Sequence, residues 1–249
     1  MEAMILAAGA GTRLRPITDR IPKALVPVRG RPLLSHVLDR LVAAGATRVV
    51  VNVCHHADQI AAYVERHARP GVEVVLSPEP DGPYETGGGL LAAAPLFARA
   101  GPILVHNVDV ISRIPLERLL AEHERARERA AGRLVATLAV QDRGSRRRLV
   151  FDAEGLTGWE ERANDGAVRD EVRAREPRGP LTRWSYTGIH VVEPAVFGLP
   201  HPAGRFSVVT WYLGLSARDY RVVPVDVTAD EWFEVGTPER LAQAEERAE

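Results

Sequence analysis

The chain has 249 residues, 45% hydrophobic and 26% charged, with 32 basic residues against 33 acidic ones and a formal net charge of −1. That composition is ordinary for one large soluble domain or two small ones, and near-neutrality removes the positive field that would draw in nucleic acid or an anionic membrane. Cys54 is the only cysteine, which excludes an intrachain disulfide and a Cys-rich zinc site, and no apolar stretch nears the ~20 residues of a bilayer span.

In chain order, Ala3–Ala7 is an apolar run ending in glycines and predicts a buried first strand rather than a signal peptide, since no basic segment precedes it. Apolar residues at helical spacing predict a helix over Arg31–Ala44, stopped by Gly45. Arg48–Val53 predicts a strand, Ala57–His67 a helix, Val72–Leu76 a strand, Gly88–Ala98 a helix interrupted at Pro95, Pro102–His106 a strand and Leu116–Ala131 a charged amphipathic helix. This alternation predicts a parallel sheet with helices on both faces, which binds ligands beyond the carboxyl ends of its strands. The rhythm then changes. Leu134–Val140, Leu149–Asp152 and Leu156–Glu160 are short strands, and Arg162–Thr182 reads as a polar, irregular excursion with a turn at Asn164–Gly166. Trp184–Val192 is a strand, Phe206–Ala217 a helix, Tyr220–Val227 and Trp232–Val235 strands, and Pro238–Ala248 a closing helix capped by Thr237. The whole predicts a Rossmann-like, three-layer α/β/α fold with a mixed, mostly parallel central sheet. A single domain over 1–249 is expected, with a first half at 1–131 and a second half of different rhythm at 132–249.

Two features carry chemistry. Leu6-Ala7-Ala8-Gly9-Ala10-Gly11-Thr12-Arg13 follows the first strand, and its small residues let backbone N–H groups approach an anion. It is neither a P-loop, for lack of Gly-Lys-Ser/Thr, nor a dinucleotide fingerprint, for Leu14 stands where a third small residue belongs. All 32 basic residues are arginine except Lys23. Lysine is a compact point charge that enters a phosphate pocket too tight for the guanidinium fork. Pro22 and Pro27 are expected to hold Lys23 in an extended segment.

Leu6 to Pro16, with Pro22 to Val28 and Gly30 to Leu33, resembles the signature of the sugar-1-phosphate nucleotidyltransferases, nearest their uridylyl- and guanylyltransferases. The likeness continues along essentially the whole chain. It implies a cytoplasmic enzyme that joins a nucleoside triphosphate to a sugar 1-phosphate and releases pyrophosphate, with Mg²⁺ as cofactor and with neither nucleic acid nor membrane as partner. By the same resemblance Arg13, Lys23 and Asp109 are catalytic, and Leu6, Ala8, Gly9, Gly11, Thr12, Arg13, Lys23, Thr86, Gly87 and Asn107 hold the nucleotide. Asp109 and Glu234 are the implied metal ligands, and Glu160, Glu161, Arg162 and Gly188 the implied sugar-phosphate contacts. Three positions depart from the family pattern: Val108 replaces a glycine, Glu234 an aspartate, and Arg162 stands in place of the lysine of Glu-Lys-Pro. Arg143, Arg146, Arg147 and Arg148 are expected in a solvated turn. The alternatives are a non-catalytic nucleotide-binding regulator of the same fold, or transfer to a non-sugar phosphate such as phosphocholine.

Overall fold

In the computed structural model, which describes residues 1–98 and 101–246, the chain opens with β1 (Glu2–Leu6), the short hairpin β2 (Pro27–Val28) and β3 (Arg31–Pro32), and α1 (Leu33–Ala43). There follow β4 (Arg48–Val53), α2 (Ala57–Arg66), β5 (Glu73–Pro78), α3 (Glu85–Ala92), β6 (Ile103–Asn107), β7 (Val110–Ser112) and α4 (Leu116–Arg129). The second half contributes β8 (Leu134–Gln141), β9 (Arg147–Asp152), β10 (Gly155–Arg162), β11 (Val168–Arg173), β12 (Thr182–Val192), α5 (Val208–Ser216), β13 (Arg221–Asp226), β14 (Trp232–Glu234) and α6 (Pro238–Glu246).

Successive strand residues point to opposite faces, so a strand covered on both sides must be apolar throughout. In β1, Ala3 and Ile5 enter one core while Met4 and Leu6 enter the other, and β6 divides Leu104 from Ile103 and Val105 in the same way. Leu33, Leu38 and Leu41 of α1, Ile60 of α2 and Leu119 of α4 close the first core. Leu90 of α3 and Trp211, Tyr212 and Leu215 of α5 close the second. The sheet between them has ten strands in the order β11-β10-β9-β12-β6-β1-β4-β5, with β8 on β12 and β13 on β8. Neighbours are parallel from β6 to β5, and β12 runs antiparallel to β6. The predicted mixed sheet with helices on both faces is the fold observed.

Several boundaries differ from expectation for local reasons. α1 starts at Leu33, because Arg31–Pro32 pairs with Pro27–Val28. Lys23–Leu25 is a 3₁₀ turn rather than an extended segment; only Pro22 ahead of it is extended. α3 begins at Glu85, so the glycine run lies inside the helix. The supposed irregular excursion contains β11, hydrogen-bonded to β10 and exposed along its whole length. With neither face buried it has no apolar alternation to reveal it. β7 was not foreseen; it is three residues long and pairs with β14. The last helix is described to Glu246, and its expected end at Ala248 lies outside the described residues. Among the described residues no helix is long and apolar enough to cross a membrane.

Candidate active site

The register of the parallel strands assembles the site. Leu6 at the end of β1 stands opposite Asn52 of β4 on one side and Asn107 of β6 on the other. A cavity of about 170 Å³ opens over this edge, walled by Leu6, Ala8, Gly9, Lys23, Asn52, Glu79, Glu85, Thr86, Asn107, Val108 and Asp109, with Pro83 at its rim. A Cβ on Gly9 would meet nothing within 4 Å, so that space is open to a ligand. Gly11 plays another part. Its φ is +62°, and a Cβ there would lie 2.9 Å from Thr18 Cγ2 and 3.1 Å from Lys23 Cβ, so glycine lets the turn fold down onto the Lys23 segment. Gly11 and Thr12 are outside the cavity wall.

Lys23 Nζ donates to Asp109 Oδ2, with side chains only 10% and 18% exposed. Asp109 is carried by the turn between β6 and β7. The β7–β14 pairing brings Glu234 to the same place: Val235 N–H donates to Asp109 O at 2.7 Å, and Glu234 faces Val110 in the register. Arg13, two-thirds exposed, reaches Glu234 Oε1 at 3.3 Å, and Arg240 lies 3.9 Å from Oε2. Arg13, Lys23, Asp109 and Glu234 are therefore brought together. Asn107 lines this cavity, and its Oδ1 is buried with no partner. His106 beneath it is pushed down to about 4 by burial, so it is neutral at physiological pH.

Gly87, implied by the resemblance to hold the nucleotide, has its backbone N–H already engaged. Gly87 and Gly88 N–H both donate to Phe206 O, and a Cβ on Gly87 would strike the Phe206 ring at 2.6 Å. They allow α3 to seat on the chain entering α5. Thr86 does line the cavity, its Oγ1 accepting from Val208 N–H at 2.9 Å. Asn52 and Glu79 are among the wall residues that sequence reasoning missed. Asn52 Oδ1 accepts from Ala7 N–H at 2.6 Å, and its Nδ2 donates to Glu79 Oε1 at 2.8 Å. Glu79 Oε2 accepts from Tyr84 N–H at 2.6 Å, so a buried carboxylate is held rigidly in the wall. Asn52 could have been flagged as a polar residue inside an apolar strand, after Val49, Val50 and Val51; Glu79 carries no such signal.

The expected sugar-phosphate residues scatter. Glu160 is buried and accepts from Arg162 Nε at 2.7 Å and Arg183 Nε at 3.0 Å. Burial alone would raise its pKa, but these bonds hold it below the usual carboxylate range. Arg162 also donates to Gly166 O, so its fork is engaged within its own hairpin. Glu161 pairs with exposed Arg147. Gly188 sits in a β-bulge of β12 with φ +84°, and a Cβ there would lie 2.7 Å from Asn107 Nδ2. Its role is to admit Asn107. A second cavity, about 540 Å³, is walled by Arg143, Arg147, Arg148, Trp159, Tyr186, Ser207 and Thr210 among others. Its wall residues Ser207 and Val209 flank Val208, whose N–H donates to Thr86 of the first cavity.

Asp109 and Asn107 line the same cavity and Glu234 stands opposite Val110, the residue after Asp109, so carboxylate oxygens and an amide oxygen without a partner are available to Mg²⁺, which binds through one or two carboxylates and completes its shell with water and phosphate. Among the described residues no group of three or more His, Cys, Asp or Glu is placed to hold a metal by protein ligands alone.

The nucleotidyl transferase family pattern matches residues 2–147. The chain is similar to N-acetylmuramate alpha-1-phosphate uridylyltransferase of Caulobacter vibrioides, 34% identical over 98% of this chain and 96% of the relative. It is also similar to mannose-1-phosphate guanylyltransferase catalytic subunit beta of Drosophila pseudoobscura pseudoobscura, 36% identical over 95% of this chain and 59% of that one. Among solved structures, the inositol-1-phosphate CTP transferase from T. maritima superposes with a TM-score of 0.69 at 17% identity, covering 100% of this chain and 97% of the other, which shows a common fold.

Proposed function

The chain belongs to the nucleotidyl transferase family as a sugar-1-phosphate nucleotidyltransferase, and we propose that it transfers a uridylyl group from UTP to N-acetylmuramate 1-phosphate. The observation that carries the phosphate chemistry is the buried Lys23–Asp109 pair at the carboxyl edge of the sheet, with Arg13 and Glu234 beside it. The uridylyl donor follows the relative matched from end to end. The acceptor also suits the second cavity, whose three wall arginines favour a sugar that bears a carboxylate as well as a phosphate. Full-length similarity to an enzyme sets aside the non-catalytic alternative.

In this reading the nucleotide lies in the first cavity, its base against Glu79, Asn52 and Thr86 and its phosphates along Ala8, Gly9, Arg13 and Lys23. An oxygen of the acceptor phosphate attacks the α-phosphorus, the bond to the β-phosphate oxygen breaks, and pyrophosphate leaves. No enzyme nucleophile takes part, so the chain contributes positioning and charge. Lys23 neutralises the α-phosphate as negative charge builds, and Arg13 steadies the departing pyrophosphate. Asp109 and Glu234 would hold Mg²⁺, which when bound offsets charge on the reacting phosphates.

The test is pyrophosphate release over a grid of nucleoside triphosphates and sugar 1-phosphates, with Mg²⁺ and with chelator. UTP with N-acetylmuramate 1-phosphate should stand out, and chelator should abolish it. GTP with mannose 1-phosphate as the productive pair would overturn the substrate assignment, and full turnover in chelator would remove the metal.

A further inference from the structure

Resting on the acceptor being a sugar 1-phosphate, we infer that Arg143, and not Arg162, is the residue that grips the acceptor's phosphate. Arg143 follows β8, in the turn expected to be solvated. Arg146 and Arg147 are exposed as expected, but Arg143 is folded inward. Its guanidinium lies over the Trp232 ring, 3.5 Å from the centroid, and Trp232 Nε1 donates to Thr187 O at 2.8 Å. Arg143 NH2 donates to Tyr186 O at 2.8 Å. The fork is thus fixed by stacking on one side and by the β12 backbone on another. Its NH1 is buried and meets no acceptor.

A buried cationic donor without a partner is costly, and the cost is removed only when an acceptor arrives. Three other arginines at this end of the sheet have carboxylate partners: Arg162 and Arg183 share Glu160, and Arg147 has Glu161. Arg143 makes no ion pair of this kind. Burial draws its pKa down to about 10, against the opposing pull of Glu234, so it keeps its charge at neutral pH.

Position decides which anion it serves. Arg143 walls the second cavity, and the Trp232 on which it rests is two residues before Glu234 in β14. An anion bound by Arg143 in that cavity lies near Glu234, whose charge acts on the guanidinium. A planar fork with no carboxylate partner matches the oxygens of a phosphate monoester. The lysine missing at position 162 is replaced by a residue reached from a different strand.

The experiment compares wild type with Arg143→Gln and Arg143→Lys. KM for the sugar 1-phosphate should rise about 10- to 100-fold in Arg143→Gln and less in Arg143→Lys, with KM for the nucleoside triphosphate nearly constant. A purely structural role would move both constants together. In wild-type protein with ¹⁵N-labelled arginine, the Arg143 guanidinium resonance should shift on adding sugar 1-phosphate and stay put on adding the unphosphorylated sugar. This measurement decides the matter if the variants fail to fold. An unchanged acceptor KM in Arg143→Gln, or a resonance blind to the sugar 1-phosphate, overturns the inference. A wild type that turns over no sugar 1-phosphate fails the underlying reading and takes the inference with it.

Discussion

Lys23 is the sole lysine in a chain that otherwise uses arginine, and the structure supplies a physical reason. Its ammonium is packed against Asp109 with a tenth of the side chain exposed, and its Cβ stands close beneath Gly11. The broader, rigid guanidinium would have to displace Asp109 from this contact. Lys23→Ala should lower kcat about 100- to 1000-fold, the usual effect of removing one preorganised donor from a developing anion. Lys23→Arg should recover little of that loss despite keeping the charge. Steady-state kinetics on the two variants checks both expectations, and near-wild-type turnover in Lys23→Arg would mean that charge alone matters at this position.

At the scale of elements, the site depends on places where strands depart from regularity. The bulge in β12 lets Gly188 take a positive φ and leaves room for Asn107, which lines the first cavity. Gly188→Ala meets both a strained backbone and a contact at 2.7 Å. Its expected cost is ~1–3 kcal/mol, a fall in Tm of several degrees for a chain of this length. Nucleotide affinity should weaken with it, because Asn107 must move. Differential scanning calorimetry and UTP titration measure the two effects; an unaltered Tm would show that β12 absorbs the side chain elsewhere. The β7–β14 ladder is only three residues long, and it sets Glu234 opposite Val110, the residue after Asp109.

At the scale of the molecule, buried titratable groups set the acid limit of stability. Burial pushes His106 down to about 4 and His190 down to about 3, so both are neutral in the fold. The unfolded chain takes up their protons near pH 6.5, and stability therefore declines as pH falls from there toward 4. Asp152 adds a second phase. Burial would raise its pKa, but Arg175 and the Arg178 and Glu154 N–H groups bring it down to about 2. That contribution is complete above pH 4 and is lost as pH falls toward 2. Denaturant unfolding at a series of pH values should show highest stability near neutrality and a loss in both windows. A flat profile between pH 7 and 4 would contradict the neutral, buried histidines.

Much of the fold and part of the site could be read in the order of residues. The strands β1, β4 and β6 and the helices α2 and α4 are written in apolar periodicity and punctuation by glycine and proline, which act over a few neighbours. The Gly-rich loop, Lys23, Asp109 and Glu234 were recognisable because their spacing along the chain is itself the motif. The edge strand β11 left no trace, for it buries neither face. The Asn52–Glu79 pair, the capture of Arg162 by Glu160 and the inward turn of Arg143 onto Trp232 belong to the tertiary structure alone. Each depends on which distant side chains reach the same point in space. An arginine's exposure and partners are decided by that packing and not by its neighbours in sequence.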